Sequence, residues 1–168
     1  MTTRQIFSNS RTSSAQAIDL VASLLALEAA APSAQLYLFS PWITDLPLLQ
    51  SARISVGPLF PEAYGDIWLS TALSRLAERG CHIHIVCRDD QVNTEPFLRK
   101  LPESVEIVRH DHVHIKGLFT RNAMLSGSMN FTYFGLTVND ELLKLETNPI
   151  AVHQGLLDAE VYWKGLPR

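Results

Sequence analysis

Apolar residues recur every three or four positions in some stretches of the chain. In others they form short runs that are apolar almost throughout. Ile18, Val21, Leu24, Leu25 and Leu27 make one broad stripe, which predicts a helix over 15–30 closed by Pro32. Ser13 and Ser14 stand where its cap is expected. Leu36 to Phe39 is continuously apolar, the pattern of a buried strand, and Ser40-Pro41 ends it. A second helical period, Leu69, Ala72, Leu73 and Leu76, spans 67–79, with Asp66 as expected cap and Gly80 as stop. CHIHIVCR at 81–88 reads as a strand and 93–100 as a short helix. Four further strands are expected at 105–110, 112–120, 123–126 and 140–146. Asn148-Pro149 is a cap and first-turn pair opening a last helix, with Val152, Leu156, Ala159 and Trp163 on its inner face. Helix-linked strands followed by hairpins predict an α/β fold: a mixed β-sheet with helices on both faces.

Between these elements, 46–65 holds Pro47, Pro58 and Pro61 with Gly57. It reads as a long loop at the carboxyl end of the first strand, where binding sites gather in α/β sheets. Residues 1–14 are polar and read as a flexible arm, leaving 15–168 as one domain. The most apolar long stretch, 15–31, contains Gln16, Asp19, Ser23 and Glu28, so no membrane span is expected there. A cytoplasmic protein is the expectation.

Composition changes this picture in two ways. The net charge of −3 gives no global attraction to nucleic acid or an anionic membrane, so phosphate recognition has to be made by a few placed donors. The 2 cysteines are too few for a disulfide scaffold. Cys81 and Cys87 lie on one strand, roughly 20 Å apart, and are expected as reduced thiols. With His82 and His84 they invite comparison with a zinc site, but alternation sends the cysteines and histidines to opposite faces.

The chemistry concentrates in 110–141. On a continuous strand, His110, His112, His114 and Lys116 share a face while Val113 and Ile115 turn to the core. Imidazole beside ammonium is poor packing but suits an anion: one can attack phosphorus or take a proton, the other can hold a phosphate oxygen. His110 and His112 read more readily as hydrogen-bonded strand-edge residues than as further nucleophiles. Gly127-Ser128-x-Asn130 follows the next strand and offers close backbone approach, a hydroxyl and an amide. Glu141 can fix an imidazole tautomer. Tyr37, Phe39 and Trp42 read as core rather than as a base-stacking platform, although Trp42 can reach the cleft.

His114-Ile-Lys116, Gly127-Ser-Met-Asn130-Phe-Thr132 and Asn139-Asp-Glu141, with Ser40-Pro41-Trp42 and the strand HIHIVC before them, resemble the phospholipase D superfamily of HKD phosphodiesterases. One motif in 168 residues resembles the short, endonuclease-like branch. That resemblance implies a homodimer with one active site across its twofold axis and no metal or cofactor. His114 of one subunit would attack phosphorus to form a phosphohistidine; His114 of the other would protonate the leaving oxygen and then activate water. Lys116, Ser128 and Asn130 would stabilise the charge that develops, and Glu141 would orient His114. The substrate class implied is nucleic acid, DNA rather than RNA. A narrower resemblance is to the phospholipase-D-like component of bacterial clusters that insert 7-deazaguanines into DNA, which implies further subunits of a modification or defence system as partners. The family motif is His-x-Lys-x4-Asp, and here the aspartate position is Arg121. Arg121 is a candidate phosphate contact or a solvated turn residue. Its presence leaves room for a subunit that binds nucleic acid without turnover.

Overall fold

The computed structural model describes residues 3–8, 14–52, 65–90 and 92–167. In chain order the elements are β1 (Thr3–Ser8), α1 (Ser14–Ala30), β2 (Gln35–Phe39), β3 (Pro47–Ala52), β4 (Gly65–Trp68), α2 (Leu69–Glu78), β5 (His82–Cys87), α3 (Thr94–Leu98), β6 (Glu106–Arg109), β7 (Gly117–Phe119), β8 (Met124–Gly127), α4 (Tyr133–Thr137), β9 (Glu141–Glu146) and α5 (Pro149–Gly165). Seven strands form one sheet in the order β1-β9-β8-β7-β2-β5-β6, and β3 pairs with β4 in a second, two-stranded sheet. The pairs β2–β5 and β5–β6 are parallel, while β2–β7, β7–β8, β8–β9 and β1–β9 are antiparallel. This is the expected mixed sheet.

The alternation of β2 and β5 assigns the two faces. Leu36, Leu38, Ile83 and Ile85 enter one apolar cluster with Val21, Leu24 and Leu25 of α1, Leu73 and Leu76 of α2 and Leu136 of α4. Tyr37, Phe39 and Val86 enter the other, closed by Ala159 and Trp163 of α5. Tyr37 and Phe39 are therefore core, as expected, and burial pushes the Tyr37 hydroxyl up to about 12. Both cysteines are free and buried, and burial is also what raises their thiols to about 11. Asn148 Oδ1 accepts from the backbone N–H groups of Ile150 and Ala151, with Pro149 in the first turn, so α5 begins where the sequence places it.

Several expectations need correction. Residues 3–8 are not an arm but an edge strand, registered Thr3↔Glu146 through Ser8↔Glu141 along β9. Polar edge strands lack the apolar run that signals a buried one. Residues 47–52 are a strand where a loop is expected, and 65–68 are a strand that takes the place of the expected helix start at 67; residues 53–64, and Ser13, lie outside the described residues. Asp66 does not cap α2. Asp45 does so from a distance, accepting from Ser70 N at 2.9 Å and Ser70 Oγ at 2.8 Å. Gly80 ends that helix region with φ +89°, a conformation glycine adopts without a Cβ penalty. In α1, Leu27 is exposed and Glu28 is buried in the interior, the reverse of the apolar stripe. Among the described residues, no helix is long and apolar enough to cross a membrane.

Candidate active site

The antiparallel β7 returns beside β2, so its first residue lies where β2 ends, with Phe39 opposite Gly117. β8 ends where β7 begins, and β9 begins where β8 ends. One margin of the sheet thus collects Ser40, Arg88, Lys116, Ser128 and Glu141 from five strand ends. In an α/β sheet this margin, at the carboxyl ends of the parallel strands, is where ligands bind.

The segment before β7 is not the continuous strand expected over 112–120. Asp111 and His112 lie in a turn, 113–116 are irregular, and only Gly117–Phe119 pair as a strand. Val113 N donates to His110 O at 3.0 Å, and Arg88 Nε donates to Val113 O at 3.1 Å. These bonds bend the chain and break the alternation. Val113 is buried as expected, whereas Ile115 is exposed. His110 and His112 pack edge to face, ring centroids 5.8 Å apart. His114 is exposed, while Lys116 is 8% exposed and its Nζ donates to His114 O at 2.8 Å. Burial first, and then the Arg88 guanidinium, hold the Lys116 ammonium below its usual range, with Glu141 opposing both.

Gly127 makes the next turn possible: a Cβ there would collide with Leu142 O. The close pairing lets Ser128 N donate to Leu142 O at 3.0 Å and Leu142 N donate to Ser128 Oγ at 3.0 Å. Ser128 Oγ in turn donates to Glu141 Oε2. The hydroxyl has a single proton to give, and Glu141 takes it. Asn139 Nδ2 donates to Glu141 Oε1 at 3.4 Å. Glu141 therefore engages Ser128 and Asn139, and no hydrogen bond joins it to His114 among the described residues. Asn130 Oδ1 is buried without a hydrogen-bond partner. Turning the amide over would present Nδ2 there instead, so the position can serve an anion or a donor.

The structure thus brings Lys116, Ser128, Asn130 and Glu141 to one margin, with His114 exposed on the chain leading into it. Arg121 it places elsewhere. That residue sits in the β7–β8 turn at the opposite end of the hairpin, where its N–H donates to Ser33 Oγ at 3.0 Å. The separation along the hairpin is on the order of 10 Å or more, so Arg121 reads as a turn residue, not a phosphate contact of this site. Two residues at this margin were not among the site candidates of the sequence. Arg88 follows β5 and lies over Trp42, 5.2 Å from its ring centroid. Ser40 Oγ donates to Trp42 O at 2.8 Å and accepts from Phe131 N at 3.1 Å, joining the end of β2 to the Asn130 loop. Both sit immediately after apolar strand runs, and that position was the available signal. Among the described residues, no group of three metal-ligating side chains is arranged to hold an ion. His84 of the cysteine–histidine strand is instead stacked on Tyr37, ring centroids 4.7 Å apart.

No protein-family model matches the sequence, and no curated protein matches it. Solved structures do share its fold. Nuc from Salmonella typhimurium, a phospholipase D family member, superposes with TM-score 0.62 at 15% identity, over 96% of this chain and 93% of that one. NucT from Helicobacter pylori gives 0.61 at 13%, over 96% and 94%. Polyphosphate kinase from Porphyromonas gingivalis gives 0.63 at 16%, over 99% of this chain and 26% of its own.

Proposed function

We propose that this chain, which has the fold of a phospholipase D family member, is a metal-independent phosphodiesterase acting on DNA as a homodimer. The observation that carries the reading is the convergence of Lys116, Ser128, Asn130 and Glu141 on one sheet margin, with His114 exposed beside them. An exposed imidazole can reach a phosphorus centre. A largely buried ammonium is poorly solvated and gains most from an anionic partner. Each copy carries one His-x-Lys, so a twofold axis at this margin supplies both the nucleophile and the acid.

In this mechanism His114 Nε2 forms a bond to phosphorus as the P–O bond to the leaving group breaks. The second His114 delivers the proton that the leaving oxygen takes. That imidazole then accepts a proton from water as the water oxygen bonds to the phosphorus of the phosphohistidine and the P–N bond to the first His114 breaks, which frees that imidazole and the phosphate product. Lys116 and Asn130 stabilise the equatorial oxygens. Ser128 joins them once its hydroxyl turns away from Glu141.

The test is hydrolysis of bis(4-nitrophenyl) phosphate in excess chelator. Turnover that persists in chelator, and falls about 10²–10⁴-fold in His114→Asn, is expected. Mixed dimers of wild type and His114→Asn should be nearly inactive; half-activity would mean independent sites. A second reading, a subunit that binds nucleic acid without turnover, is favoured by the Ser128 proton being held by Glu141. It predicts DNA binding with no hydrolysis. Membership of a 7-deazaguanine DNA-modification complex rests on the sequence resemblance.

A further inference from the structure

Beside Asn130 lies a cleft of about 410 Å³ lined by Trp42, Thr44, Asn93, Asn130, Tyr133 and Phe134. Its aromatic walls are open to solvent: Trp42 is 37% exposed, Tyr133 50% and Phe134 66%. Tyr133 and Phe134 meet at right angles, centroids 5.9 Å apart, and make a corner rather than a filled core. The walls are fixed. Tyr133 N donates to Thr44 Oγ1 at 3.0 Å, Ile43 pairs with Phe131, and Ser40 ties Trp42 to Phe131. Arg88 packs over Trp42 while its Nε holds Val113 O, one residue before His114. The Asp45 carboxylate on the same wall is occupied by Ser70 and by Lys100 at 2.9 Å.

We propose that this cleft is a nucleobase subsite, in which Trp42, Tyr133 and Phe134 stack a base of a single-stranded nucleic acid adjoining the phosphate at Lys116. The inference rests on the phosphodiesterase reading and adds what the substrate presents beyond its phosphate. Charge decides between strand and duplex. Duplex binding draws on many phosphate contacts, and a chain of net charge −3 with Lys116 and Arg88 at this margin offers few. Single-strand binding draws on aromatic stacking, which every base can supply. Asn130, whose Oδ1 has no hydrogen-bond partner, lines the cleft, so an exocyclic amine can meet that oxygen or, with the amide turned over, a phosphate oxygen can meet Nδ2.

The test is fluorescence anisotropy of the full chain with a single-stranded oligodeoxynucleotide, the RNA of the same sequence, an abasic strand of equal length, and a duplex. The base-bearing strand should bind about tenfold or more tighter than the abasic one. The sugar showing the larger ratio identifies the natural strand. Tyr133→Ser with Phe134→Ser should bring the ratio near one, and Phe134→Trp should keep it. Equal affinity for base-bearing and abasic strands, or a ratio that survives the double variant, overturns the proposal. So does a double variant that dissociates a dimer without changing the ratio, because a second copy then covers the patch. Hydrolysis of bis(4-nitrophenyl) phosphate with no base dependence would sink the subsite alone. Base dependence with no hydrolysis would keep the subsite and sink the enzyme.

Discussion

At one end of the β7–β8 hairpin a carboxylate is wholly buried in a closed network; at the other a carboxylate stays half-exposed, bonded to Ser128 and Asn139. Glu28 is wholly buried and accepts from Ser33 N at 2.9 Å and Asn122 Nδ2 at 2.8 Å. Asn122 Nδ2 also donates to Ala31 O at 2.7 Å, and Thr120 Oγ1 closes the turn on Ala123 O at 3.0 Å. At this closed end the polar groups meet one another, so the network fixes the turn. At the open end Glu141 is half-exposed, Asn130 Oδ1 lacks a partner, and Lys116 is held largely out of water beside Arg88. Incomplete satisfaction is costly in a folded chain and is tolerated where a ligand completes it. The comparison also explains the departure from the His-x-Lys-x4-Asp pattern. Arg121 stands at the closed end, where Glu28 from α1 supplies the carboxylate that anchors the turn, a hairpin's length away from Lys116 and Ser128.

The difference can be broken by mutating each end. The largest effect is expected from Lys116→Met, which should lower diester turnover about 10²–10³-fold without lowering the thermal midpoint. Its pH signature has a definite sign. The native pKa of Lys116 is depressed below 10.5, so the unfolded chain holds the proton to higher pH. Stability therefore rises as pH climbs from the depressed value to 10.5, and below that window both states are protonated and the slope vanishes. Denaturant titrations across alkaline pH should show this rise in wild type and lose it in Lys116→Met.

Glu28→Ala should do the reverse: a loss of about 2–3 kcal/mol in chemical denaturation, with turnover of the folded protein unchanged. A turnover loss matching that of Lys116→Met would mean that the two ends are coupled. The smallest effect is expected from Arg121→Ala, within about 0.5 kcal/mol in stability and without change in DNA affinity. Weakened binding in that variant would place the closed end on the path of the nucleic acid.

How much of this was legible in the sequence depends on range. Periodicity located α1, β2, α2, β5 and α5, because burying an apolar face leaves a local mark. The polar edge strand β1, the proline-led β3 and the bend at 111–116 left none. Their partners lie far along the chain: Thr3 faces Glu146, and Arg88 holds Val113. The motif order put forward His114, Lys116, Ser128, Asn130 and Glu141 as candidates, since residue type at fixed spacing is a local property, and the sheet brings the last four to one margin. It did not reveal that Glu141 would bind Ser128, that Asp45 would cap α2, that Glu28 would anchor a turn, or that Trp42, Tyr133 and Phe134 would face one cleft. The sequence by itself determined which groups and which faces this chain has to place. Tertiary structure decided which of those groups meet, because a hydrogen bond or a stacked ring depends on distance in space, and the sheet brings together residues that the chain keeps far apart.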